Sequence, residues 1–161
     1  MDPTACRQHL AQLIAEQVTA LGELAVLLER EHTHLLDNDV AALETAIRER
    51  QQCVSRLVRV DDEYRTVCRG LNHSTDAEGM ERLLRWCDPQ GELAAAWSQC
   101  TTSAARCRAL NDRNGALVGA RLKHVQARLE LLIKGRRDPV TYGRHGSYAV
   151  GPVGRVVATE A

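Results

Sequence analysis

The chain has 161 residues, 21 basic and 21 acidic side chains, six cysteines, two Trp, three Tyr and no Phe. Balanced charge removes any demand for nucleic acid or an anionic membrane as partner. So few aromatics argue against a thick core, and a chain rich in Leu, Ala, Val, Arg, Glu and Gln suits a thin helical bundle with a Leu/Ala seam.

The N-terminus begins Met1-Asp2-Pro3, with Asp2 placed to cap a helix and Pro3 at its first position. It has no basic n-region followed by an apolar run, so no secretory signal is expected there. No stretch of 18 uncharged apolar residues predicts a stable membrane insertion. The first helix is expected over about 4–36. Its seam reads Leu10, Leu13/Ile14, Gln17, Leu21, Leu24, Leu28, Glu31 and Leu35, close to a 3-4 alternation with polar residues at two positions. Arg7, Glu16, Glu23 and Arg30 lie on its other face.

Leu36-Asp-Asn-Asp-Val40 is a turn, with Asp39 as the next N-cap. So short a turn sets the second helix, about 39–69, antiparallel to the first. Its stripe is read as Val40, Leu43, Ile47, Arg50, Val54, Leu57, Asp61, Tyr64 and Cys68, closed by Gly70 as the residue past the helix end. Thr75-Asp-Ala-Glu78 fits a capping box opening a short helix, about 76–87, with Met80, Leu83, Leu84 and Cys87 inward.

Asp88 and Pro89 are read as the cap and first residue of a long helix, about 89–134. Leu93, Trp97, Cys100, Ala104, Cys107, Leu110, Asn114, Val118, Leu122, Val125, Leu129 and Leu132 follow one another in steps of three or four. Such a helix is about 65–70 Å long, more than a small globule can cover. Asn114-Gly115 is a turn signal, yet the apolar phase continues across it, so a continuous helix with a soft point is expected. A glycine there admits another backbone or a bend. Lys134, Arg136 and Arg137 suit the helix C-terminus.

From residue 136 the periodicity stops, and a flexible tail is expected over 136–161. Its Val140, Tyr142, Tyr148, Val150, Val153, Val156 and Val157 either become ordered on a partner or belong to a frayed terminus. The expected architecture is therefore all-α: an elongated antiparallel helical bundle or coiled-coil hairpin over 1–135, with one long C-terminal helix and a flexible tail.

Nothing in the chain reads as chemistry. It has no dinucleotide, phosphate-loop or nucleophile-elbow motif, so no catalytic residue, cofactor or metal is expected. His32 and His34 are two apart and point about 200° from each other on a helix, which forbids a shared ion and leaves them solvated or near a turn. Cys6, Cys53, Cys68, Cys87, Cys100 and Cys107 show no Cys-x-x-Cys pairing and read as reduced core residues. Trp86 and Trp97 are expected to pack on the first two helices.

Three stretches together resemble the FlgN family of flagellar type III export chaperones. They are Leu27–Leu36 followed by Asp-Asn-Asp, then Leu110-Asn-x-x-Asn114-Gly115-x-Leu-Val118 with its amphipathic continuation, and Thr141-Tyr142-Gly143-x-x-Gly146. The resemblance implies a cytoplasmic, non-enzymatic all-α chaperone. Its partners would be the hook–filament junction proteins, bound by their C-terminal helices, and the flagellar export apparatus with its ATPase and gate. It points to Asn111, Asn114, Gly115, Val118, Leu122, Val125, Leu129 and Leu132 as client-binding residues, with Tyr142 and Gly143 in the tail, and assigns no role to Tyr148. The competing expectation is a self-associating coiled-coil scaffold or regulatory adaptor, a homodimer through the Leu122–Leu132 stripe with no export client.

Overall fold

A computed structural model describes residues 2–135, with side chains through Ile133, and the backbone of 140–142 and 148–150. Four helices follow in order: α1 Pro3–Asp37, α2 Val40–Gly70, α3 Ala77–Cys87 and α4 Ala94–Gly135. The chain divides into two units, Met1–Leu117 and Val118–Ala161. The second contains the end of α4 and two three-residue strands, β1 Val140–Tyr142 and β2 Tyr148–Val150, paired antiparallel with Tyr142 opposite Tyr148. That pairing has no counterpart in the sequence-based expectation of a flexible tail. The rest of the expected tail, Gly143 included, lies outside the described residues.

α1 starts as Asp2 and Pro3 dictate. The Asp2 carboxylate accepts from the backbone N–H of Thr4 at 2.9 Å and Ala5 at 3.0 Å, and the Ala5 bond leads in holding that carboxyl below its usual range. α1 and α2 end by one device. Asn38 and Asn72 each adopt φ 58°, and the residue after each donates back to the carbonyl five before it, Asp39 to His34 at 3.1 Å and His73 to Cys68 at 2.8 Å. Asn tolerates the left-handed conformation that closes such a helix end. Gly70, expected in that role, is instead the last helical residue of α2.

α1 and α2 run antiparallel, as the pairs Glu16–Arg59, Glu23–Arg56 and Arg30–Glu49 show. All three are solvent-exposed and mark the direction of the helices more than they stabilise them. The buried face of α2 is Ala46, Cys53, Val60, Tyr64, Val67 and Cys68. The expected column Val40, Ile47 and Asp61 is exposed, so a third of the predicted stripe falls outside the seam. Small side chains decide this. Ala46 and Cys53 let α2 approach α1 closely enough for the Cys53 thiol to meet the Ala20 carbonyl at 3.1 Å, whereas Val and Ile at 40 and 47 are bulkier but flank the contact.

α3 is capped by Asp76, whose carboxylate accepts from the Gly79 N–H at 2.8 Å. Thr75 is not the cap, and Glu78 pairs with Arg82 on the surface instead of closing a capping box. α3 buries Gly79, Met80, Leu83 and Cys87. α4 begins five residues later than Pro89. Residues 88–93 form a turn with Gly91 at φ 72°, and the buried Asp88 carboxylate reaches across it to the N–H groups of Glu92 at 3.1 Å and Leu93 at 2.8 Å. Asp88 thus serves the helix start from outside the turn.

By length and apolar composition α1 is long enough to cross a bilayer, although no run of 18 residues in it is free of charge. Its apolar residues instead supply the core. Cys6, Leu10, Leu13, Ile14, Leu21, Ala25 and Leu28 pack with Val60, Tyr64, Val67, Cys68, Met80, Leu83, Cys87, Cys100, Cys107 and Leu110. Trp97 joins them, edge-on to Tyr64 with ring centroids 6.1 Å apart. Trp86, expected inside as well, is exposed.

Candidate functional site

α4 is one helix of 42 residues through Asn114-Gly115, about 63 Å long, and its two parts differ in what surrounds them. In the first, three side chains seven residues apart bond to three carbonyls of α1 seven residues apart. The thiol of Cys100 donates to Ile14 at 3.6 Å, that of Cys107 to Leu21 at 3.3 Å, and the Asn114 amide to Leu28 at 2.8 Å. The constant offset makes this part of α4 parallel to α1. Ion pairs keep the same direction, Arg7 with Glu92 at 2.6 Å and Arg113 with Glu29 at 2.7 Å. Thiols are weak donors, so their main value is small size. The strong rung is Asn114.

Asn114 is 5% exposed. Its Oδ1 also lies 3.0 Å from Nδ1 of His32. Because an amide oxygen only accepts, His32 is the donor. His32 is therefore a half-buried partner of α4, not the solvated histidine expected. Asn114 has its partners inside the chain and lacks the exposure of Asn111, Gly115 and the stripe from Val118 to Leu132. Asn111 and Gly115 are exposed. A Cβ built on Gly115 meets nothing within 4 Å, so the anticipated close approach of another backbone is absent among the described residues.

Beyond Leu117 the apolar residues face solvent. Val118 is 49% exposed, Leu122 57%, Val125 51%, Leu129 52% and Leu132 68%. They recur at i, i+4, i+7, i+11 and i+14, one face over about 21 Å. Leu131 and Ile133 are exposed too. The seam pattern passed over them, although the run Leu129-Glu-Leu-Leu-Ile133 marks a helix end apolar on more than one side. Arg121, Lys123 and Arg128 accompany the stripe, against one carboxylate, Glu130. Tyr142 sits in β1 opposite Tyr148 by backbone pairing.

Among the described residues no group of three His, Cys, Asp or Glu could hold a metal ion. All six cysteines are free and buried, and burial pushes each thiol up, Cys87 to about 12. Thiols so placed are not nucleophiles at neutral pH.

The four helices define an all-α protein whose longest helix carries a continuous exposed apolar face. A family model described as FlgN protein matches residues 1–149, and the chain belongs to the FlgN family. That membership implies the role of a flagellar export chaperone in flagellum assembly. The fold resembles a crystal structure from Pseudomonas aeruginosa described as a flagella synthesis protein FlgN. The TM-score is 0.62 and the identity 25%, over 68% of this chain and 86% of that one. No curated protein matches the chain.

Proposed function

We propose that this chain is a cytoplasmic, non-enzymatic chaperone of the flagellar hook–filament junction proteins. It binds their C-terminal helices along Val118, Leu122, Val125, Leu129 and Leu132, with Tyr142 and Gly143 of the tail completing the site. The client stays unassembled until it is delivered to the ATPase and gate of the export apparatus. The observation that carries this reading is the solvent exposure of the five-residue apolar face of α4, which has the i, i+4, i+7 spacing of a helix-to-helix contact. Lys123 and Arg128 favour a client helix with acidic flanks.

The test is co-purification of the full chain with each junction protein, alone and with Leu122→Ser and Leu129→Ser together. Binding at micromolar affinity or better, lost in the double variant with helicity intact, is the expected result. If the double variant binds as well as the parent, the site lies elsewhere. If light scattering shows a tight dimer that the double variant dissolves, and no junction protein is retained, the chain is a self-associating scaffold.

A further inference from the structure

We infer that Asn114, held by His32 and the Leu28 carbonyl, fixes the register of α4 against α1 and is a positioning residue, whatever client the exposed half of α4 receives. The contact between the two helices repeats every seven residues. Cys100, Cys107 and Asn114 face Ile14, Leu21 and Leu28. A slide of α4 by one heptad towards the end of α1, about 10 Å, places Cys100 on Leu21 and Cys107 on Leu28 together, and the reverse slide places Cys107 on Ile14 and brings Cys100 to Arg7. A thiol is a weak donor and any backbone carbonyl can accept from it, so the two cysteines discriminate little between registers. Arg7–Glu92 and Arg113–Glu29 are exposed pairs and hold register weakly. The six-residue turn 88–93 is long enough when extended, about 20 Å, to let α4 shift.

Asn114 is the hydrogen-bonding residue of the seam that breaks this degeneracy. Its oxygen needs a donor from α1, and His32 supplies it. Seven residues to either side of His32 stand Ala25, which has no side-chain donor, and Asp39, a carboxylate already capping α2 through Ala42 N–H at 3.0 Å. In either slipped register the buried amide oxygen loses its partner. One polar residue in an apolar seam specifying alignment is the best-attested use of buried polarity in helix pairs. The register in turn decides at which residue of α4 the buried seam stops and the exposed stripe begins.

The full chain carrying Arg113→Lys provides the test. A zero-length carbodiimide couples the amine introduced at position 113 to the carboxylate it faces, and mass spectrometry identifies the linked peptides. In the native register the link is to Glu29. Adding Asn114→Leu or His32→Leu, which keep the seam apolar, should retain full far-UV helicity. New links from position 113 to Glu23 or Asp37 should then rise from background to a share comparable with Glu29. His32→Gln, which still offers an N–H, should restore the single Glu29 link. Exclusive linkage of position 113 to Glu29 in Asn114→Leu and His32→Leu would overturn the inference. So would loss of helicity in Asn114→Leu, because that would make Asn114 a stability residue and nothing more.

Discussion

The amide of Asn114 donates to the backbone carbonyl of Leu28 at 2.8 Å, one heptad beyond the point where Cys107 meets Leu21. This bond places Asn114 of the Asn-Asp-Arg-Asn-Gly motif in the seam with α1, while Asn111 and Gly115 stay exposed. Replacing Asn114 by Ala removes the bonds to Leu28 and His32 together and opens space in a tight seam. The expected loss is about 1–3 kcal/mol, read as a lower midpoint in urea. Below the transition, affinity for a junction protein should stay within about twofold of the parent; a larger fall with the cross-link from position 113 to Glu29 still exclusive would return Asn114 to the binding surface.

Three helical glycines make the same substitution come out with opposite signs. A Cβ at Gly79 would lie 1.8 Å from the Ser74 carbonyl oxygen, a backbone atom that cannot swing away. Gly79→Ala should therefore cost about 1–3 kcal/mol, by shifting the loop between α2 and α3. At Gly22 and Gly115 nothing lies within 4 Å. Each sits inside a helix, so Ala should stabilise by up to about 1 kcal/mol. Chemical denaturation of the three variants checks the order. Gly115→Ala has a second use: raised stability with weakened client binding would assign the glycine to the client surface, where the family resemblance put it.

The helices themselves were legible, because the 3-4 spacing of Leu10, Leu21, Leu28 and Leu35, and the caps Asp2 and Asp39, are local physics. What failed was the choice between adjacent columns. On α2 the larger Val40 and Ile47 looked like seam, while the closely packed seam uses Ala46 and Cys53. Hydrophobicity ranks residues by how much they gain from burial, not by how near two backbones must come. His32 was unreadable for a related reason. Its partner lies 82 residues away, and a polar pair across a seam leaves no trace in the periodicity of either helix. In the proposed site, the apolar stripe was visible as spacing, but its exposure depends on where the neighbouring helices end.

The exposed end of α4 has apolar residues on more than one side, and a helical client can occupy only one of them. Leu129 and Leu131 are two apart, about 200° around the helix, and both are exposed. If the client packs along Val118, Leu122, Val125, Leu129 and Leu132, Leu129→Ser should weaken binding by about tenfold or more, some 1.4 kcal/mol, and Leu131→Ser by less than about threefold. Neither should shift the unfolding midpoint by more than about 0.5 kcal/mol, since neither side chain is buried. Isothermal titration with a junction protein measures the first effect. Equal losses at the two positions would mean the client wraps the helix end and does not lie along one face.

Glu31 gives the pH prediction. It is buried on α1 and pairs at 2.7 Å with Arg50 of α2, which keeps about a third of its surface in water. Burial raises the Glu31 carboxyl above its ordinary 4.5, and Arg50 opposes the shift without cancelling it. The folded state therefore takes up this proton at a higher pH than the unfolded chain does. Above the raised value the ionised group detracts from stability, and its contribution becomes more favourable as pH falls through that value towards 4.5. The capping and paired carboxylates Asp2, Glu29 and Asp76 are lowered in the fold, each chiefly by a hydrogen bond, and have the opposite sign. The Glu31 effect must accordingly be read as a difference between the parent and Glu31→Gln. Removing one member of a buried pair is costly when the other charge is stranded, but Gln at position 31 still offers an amide oxygen to Arg50, whose side chain is a third exposed. At pH 7 Glu31→Gln should thus be at least as stable as the parent, and its advantage should close as pH approaches 4.5. Urea midpoints for both proteins between pH 7 and 4.5 decide it. A clear loss of stability in Glu31→Gln at pH 7 would mean that the attraction to Arg50 outweighs the cost of burial.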